Sequence, residues 1–155
     1  MESPEPFGNV TVASAGYRQP VTVDANARLS ETIATMREHR VGCVVVLDGD
    51  ELAGIFTERD LVKRVYAAGA SLDGSVRDVM TADPLTTLAE APLFVALAHM
   101  HRGGFRHLPV LDSKGKLVGT TSIKRTMHFL AEHMAGAVLN LPPDPGKYPA
   151  TEEGG

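Results

Sequence analysis

Thr57 and Asp60 form the most chemically loaded pair in this chain. They stand where the apolar stretch Gly54-Ile55-Phe56 gives way to a polar run, Thr57-Glu58-Arg59-Asp60. A threonine at a helix start adds a hydroxyl to free backbone N–H groups and to the positive end of the helix dipole, and the combination attracts anions. An aspartate three residues later can accept two hydrogen bonds from a vicinal diol. Arg59 and Lys63 add positive charge nearby. The same Thr-x-x-Asp spacing is also a capping box, which stabilises a helix start with no ligand at all. On spacing alone the cap is the commoner meaning.

Other reactive side chains lead nowhere. Cys43, the single cysteine, lies among Val41, Val44 and Val45 and reads as a core thiol rather than a nucleophile. His99 and His101 are two apart on a helical stretch and face different ways; His128 and His133 are five apart and no better placed. No acid or cysteine joins either pair at ligand spacing, which argues against a metal site. No Ser-His-Asp arrangement or other acid–base pair can be named, so the chain is read as non-catalytic.

The elements that must position these residues occur twice. Pro20, Thr22, Ala25, Ala27, Leu29, Ala34, Met36, Val46, Leu47 and Asp48 recur 64 residues later, from Pro84 to Asp112. One residue inserted in a turn then changes the offset, and Leu52 and Gly54 match Leu117 and Gly119. Each copy opens with an extended stretch, Pro20–Val23 or Pro84–Thr87. A helix follows, with Leu29, Ile33 and Met36, or Leu93, Leu97 and Met100, at helical spacing. Gly103-Gly104 should end the second of these helices. The apolar run Val44–Leu47 predicts a strand buried on both faces, and Leu52–Phe56 a returning strand after the Asp48-Gly49-Asp50 turn. Closing helices are expected from about Glu58 to Ala68, capped by Gly69, and from about Ile123 to Ala137. The fold class is α/β, with two tandem β-α-β-β-α units packed about a pseudo-two-fold axis. The expected organisation is a tail over 1–11, a first repeat over 12–70, a linker over 71–75, a second repeat over 76–137 and a flexible tail over 138–155.

Composition narrows the function classes. With 155 residues, 43% hydrophobic and no Trp, the core must be built from Val, Leu, Ile, Ala and Met. A net charge of −4 with mixed signs argues against general nucleic-acid binding. No apolar segment is long enough to span a bilayer, and the start, Met1–Gly8, lacks a signal core. One cysteine fits a reducing compartment, so a cytoplasmic location is expected.

The repeated set resembles a tandem pair of CBS domains, a Bateman module, of the small stand-alone bacterial kind. The residues that carry the resemblance are Pro20–Val23, Gly54-Ile55-Phe56-Thr57-Glu58-Arg59-Asp60, Val76-Arg77-Asp78-Val79-Met80-Thr81, Phe105-Arg106-His107-Leu108-Pro109-Val110 and Gly119–Ser122. The resemblance implies regulatory adenine-nucleotide binding (AMP, ADP, ATP or NAD(H)) with no required cofactor. It assigns Thr57 and the nearby helix amides, helped by Arg59, to a phosphate and Asp60 to the ribose diol. Val21, Thr22, Cys43 and Ile55 would wall the base pocket. Arg106 and His107 lie just before the Leu108-Pro109-Val110 strand, where the resemblance implies basic side chains aimed at the central cleft; the alternative is that Arg106 pairs with a surface acid and His107 is a satisfied core residue.

The second copy departs from this pattern. Ser122 keeps the hydroxyl, but Arg125, preceded by Lys124, stands at the acidic position, and arginine only donates hydrogen bonds. Either these cations hold phosphates of a dinucleotide or polyphosphate, or the helix face is simply solvated. The resemblance also implies a homodimer through helices, with Met127, Leu130 and Met134, and Leu61 and Val65, as candidate seams, and an effector protein that reads the ligand state. The alternative function is a ligand-independent interaction and dimerisation scaffold in which Thr57 and Asp60 act only as caps.

Overall fold

The computed structural model describes residues 8–139, with side chains as far as residue 133. The expected tail over 138–155 and the side chain of Met134 therefore lie mostly or wholly outside the described residues.

The order of elements is strand, helix, strand, strand, helix, twice. In the first repeat these are β1 (Thr22–Asp24), α2 (Leu29–His39), β2 (Cys43–Asp48), β3 (Glu51–Thr57) and α3 (Glu58–Asp60), preceded by a single turn α1 (Val12–Ala15). A short β4 (Thr81–Ala82) comes next, and the second repeat follows as β5 (Thr87–Leu88), α4 (Leu93–Gly103), β6 (His107–Leu111), β7 (Leu117–Ser122) and α5 (Ile123–Leu139). The sheets run β1-β2-β3-β4 and β5-β6-β7. In both, the first pair is parallel and the second antiparallel.

The buried runs form the strands expected of them. Val44, Val45 and Val46 are fully buried in β2, and Leu108 and Val110 in β6. Both hairpins carry a register break, between Val46 and Leu47 and between Val110 and Leu111, at equivalent places in the repeat. Gly104 caps α4 with a left-handed backbone, as the double glycine predicts. The helix expected over Glu58–Ala68 is different in kind. After α3 it widens into a π-helical stretch, Leu61–Tyr66, in which Ala67 N–H reaches the Val62 carbonyl five residues back. From this wide turn Arg64 bonds the Met80 carbonyl at 2.6 Å and pairs with Asp60 at 3.5 Å.

Each repeat's leader docks on the other repeat. Val76 N–H bonds the Ala27 carbonyl and Leu29 N–H the Gly74 carbonyl; 64 residues away, Val12 N–H bonds Ala91 and Leu93 N–H bonds Val10. Val76, Val79 and Met80 accordingly belong to the first core, and Val12 to the second, with Leu93, Ala96 and Met100. The cores are thus assembled across the sequence boundaries of the repeats. Of the expected helical seam, Val65 is buried in the first core, Leu61 packs partly against it and Leu130 partly against the second. Only Met127 stands well exposed among the described seam side chains. Val65 is withdrawn from the seam because burial within its own repeat leaves nothing to offer a partner.

Candidate functional site

At the first repeat the Thr-x-x-Asp pair closes on itself. Asp60 accepts hydrogen bonds from the Thr57 N–H (3.0 Å) and the Thr57 hydroxyl (3.1 Å), while the Thr57 oxygen accepts from Asp60 N–H. This is a complete capping box. The other Asp60 oxygen faces Arg64, and the residue is buried. Arg59 reaches across to the Gly104 carbonyl at 2.9 Å.

A cavity lies elsewhere, between the repeats. It has a volume of about 470 Å³, within the roughly 300–1,000 Å³ of small-ligand sites. One wall is Val21, Val41, Gly42 and Cys43, from the opening and the second strand of the first repeat. The facing wall is Thr120, Thr121 and Ser122 at the end of β7, with Lys124, Arg125 and His128 on α5. Arg18, Gln19 and His107 complete it. A second cavity of about 460 Å³ shares Arg18, Gln19 and Val21 and adds Thr22, Thr35 and His39.

The two cavities divide the residues singled out from the sequence. Val21 and Cys43 share a cavity with Ser122, Lys124, Arg125 and His107, not with Thr57, Arg59 and Asp60. Thr22 faces the second cavity, Ile55 is buried in β3 between Val45 and Thr81, Pro109 is buried in β6 opposite Thr120, and Arg106 is exposed outside the cavity lining. The reason is the crossed leader. Arg18 and Thr120 exchange two backbone hydrogen bonds of 2.9 Å, which carries the opening of the first repeat onto the last strand of the second.

Ser122 prepares its wall for an anion. Its oxygen accepts from Arg125 N–H at 3.1 Å, capping a 17-residue helix whose dipole is positive at this end. The lining residues include three permanent cations and no carboxylate. Burial pushes the Cys43 thiol up to about 12, partly opposed by Arg18, so it is protonated and unreactive at neutral pH. Burial also lowers His107 from its usual 6.5, against the pull of Glu58 and with the push of Arg106. No group of three or more His, Cys, Asp or Glu among the described residues could hold a metal ion. No helix among them is long and apolar enough to cross a membrane.

The CBS-domain family model matches the chain twice, over residues 15–67 and 76–132. The chain belongs to the CBS-domain family. Its solved relatives include a CBS-domain protein of Agrobacterium tumefaciens, 36% identical, covering 77% of this chain and 98% of that one with a TM-score of 0.70. A CBS-domain protein of Pyrobaculum aerophilum, solved in complex with AMP, is 28% identical over 81% of this CBS pair and 99% of its own chain, with a TM-score of 0.71. Among curated proteins, an uncharacterised 17.7 kDa protein of Acidianus ambivalens is 39% identical over 66% of the pair, and a plant CBS-domain protein of Arabidopsis thaliana 38% over 60%. The pair spans only 62% and 17% of those two proteins' lengths.

Arg18, Gln19 and Gly42 line the cavity with no signal in the sequence, and Val41, Thr120, Thr121 and His128 line it without a ligand role expected of them. Arg18 has no local motif. Only its pairing with Thr120, 102 positions away, brings it to the site. His128 is weighed in the sequence only as a metal partner, whereas its cavity role follows from lying on the first turns of α5 beside Arg125.

Proposed function

We propose that this CBS pair is a regulatory, non-catalytic module that binds an adenine nucleotide between its repeats and signals the bound state to an effector protein. The observation that carries the reading is the inter-repeat cavity, with an apolar wall at Val21, Val41 and Cys43 facing a cationic wall at Ser122, Lys124 and Arg125. An aromatic base suits the first wall and phosphate the second. The AMP bound by the Pyrobaculum relative supports the ligand class. A ligand held by both repeats would bind best to one relative placement of them and shift the population toward it, which a partner can sense. Thr57 and Asp60 enter this proposal as a helix cap. The module is further proposed to act as a cytoplasmic homodimer, with Met127 in the seam.

Thermal unfolding against AMP, ADP, ATP, NAD, NADH and S-adenosylmethionine tests the reading. A ligand at 100 times its dissociation constant adds about 2.7 kcal/mol, a shift of several degrees at this size. Ser122→Ala should reduce the ligand shift measured from its own baseline. Asp60→Ala should lower the baseline by about 1 kcal/mol and leave the ligand shift intact. Loss of the ligand shift in Asp60→Ala alone would return the nucleotide to Thr57. The engagement of both Asp60 oxygens within the fold is also what a second reading, the ligand-independent scaffold, requires, and no shift with any compound would leave that reading ahead.

A further inference from the structure

We infer that the inter-repeat cavity takes the polyphosphate of its ligand and does not read the ribose diol, so that the module ranks nucleotides by phosphate number. The inference rests on the adenine-nucleotide reading above and deepens it. Three cations from two distant segments converge here, Arg18 from the leader of the first repeat and Lys124 and Arg125 from the start of α5. None of the three side chains has a hydrogen bond or ion pair among the described residues. Arg77, by contrast, is paired with Asp48, and Arg64 with Asp60. Like charges gathered around a concave surface repel one another, and a multiply charged anion relieves that repulsion.

No carboxylate lines the cavity to take the diol; the acid beside it, Glu58, stands behind Gly42 at the corner it shares with His107. Among the lining residues the hydrogen-bond acceptors are uncharged: the Thr120, Thr121 and Ser122 hydroxyls and the Gln19 amide. The one carboxylate placed by the repeat for a ribose, Asp60, has both oxygens engaged by Thr57 and Arg64. Lysine and arginine can only donate, so they reward phosphate oxygens and cannot accept from the O–H groups of the diol as a carboxylate does.

The test is isothermal titration of the whole chain, in magnesium-free buffer, with ATP, ADP, AMP, adenosine, 2′-deoxy-ATP and inorganic tripolyphosphate. Affinity should fall by about tenfold from ATP to AMP and further to adenosine, since removing a charge-assisted hydrogen bond to phosphate weakens binding by that order. 2′-Deoxy-ATP should bind within about threefold of ATP, the scale of exchanging one neutral hydrogen bond for water. Arg125→Gln and Arg18→Gln should each weaken ATP by about tenfold and leave adenosine unchanged. An unaltered melting temperature without ligand shows that the variants fold, and either variant suffices if the other does not. AMP binding as tightly as ATP, or a tenfold loss with 2′-deoxy-ATP, would overturn the inference and leave the nucleotide reading intact. Tripolyphosphate binding as tightly as ATP would remove the adenine reading and support the polyphosphate site. No binding by any of the six would overturn both.

Discussion

His107 sits where the two repeats and the cavity meet. A Cβ placed on Gly42 would lie 3.3 Å from its Nε2 and 3.5 Å from the Glu58 carboxylate, so the imidazole and this acid share one corner. The charged and titratable groups around it are Glu58 and Arg106, and on the cavity lining Arg18, Cys43, Lys124, Arg125 and His128. Because burial lowers its pKa, the folded protein favours the neutral ring while the unfolded chain takes a proton at the ordinary value near 6.5. The stability His107 contributes is therefore complete above that value and lost as pH falls through it toward the folded pKa. Melting temperatures of the ligand-free protein measured from about pH 8 down to 5 should drop below about 6.5. His107→Gln should remove that part of the decline; an unchanged profile would assign His107 no share in it. At this scale the Thr57–Asp60 box was legible in full, as one of its two meanings. Arg18 was not legible, because a lone arginine ahead of Pro20 has no pattern until Thr120 is placed beside it.

Gly54 and Gly119, the matched glycines of β3 and β7, explain why the repeat keeps a residue without a side chain on its last strand. A Cβ on Gly54 would lie 2.7 Å from the Thr81 carbonyl oxygen and also strike Met80; one on Gly119 would lie 2.6 Å from the Arg18 carbonyl oxygen and also strike Tyr17. In each case the crossing leader of the other repeat pairs antiparallel along the edge of the strand. Gly119→Ala must move that backbone, so it should cost about 1–3 kcal/mol in chemical denaturation. Since Arg18 moves with it, the variant should also weaken nucleotide binding. A loss of stability with full affinity would show that the Arg18 backbone position does not govern the cavity. The strands, the helices and the glycine cap of α4 followed from periodicity and from double glycine. The π-helical turn at Leu61–Tyr66 did not, because its extra residue per turn accompanies contacts from Arg64 to Asp60 and to Met80 on the leader of the second repeat.

Across the whole molecule, the exchange of leaders makes the repeats interdependent. Val12 is fully buried in the second core and Val76 in the first, so neither repeat completes its core from its own contiguous sequence. What the exchange leaves outside is a set of apolar side chains, among them Phe94 on α4 (60% exposed) and Met127 on α5 (53% exposed), on helices that pack together. Covering such groups would favour association of two copies. Sedimentation equilibrium should find a dimer, and Met127→Glu should shift it toward monomer by burying a charge in the seam. A wild-type monomer at every concentration would refute the proposed assembly.

The sequence by itself determined the duplicated β-α-β-β-α unit, because a buried strand and an amphipathic helix are set by residue type and spacing within a few turns of chain. It also determined the hydroxyl-led helix starts at Thr57 and Ser122, whose caps are local hydrogen bonds. Only the tertiary structure decided which wall faces which. The cavity joins Arg18, Val21 and Cys43 to Ser122, Lys124 and Arg125 through a backbone pairing between residues 18 and 120, and nothing in a repeat read alone specifies a contact at that separation. The cavity consequently lies at the copy that carries Arg125 in place of an acid, while in the other copy the Asp60 carboxylate holds its own helix.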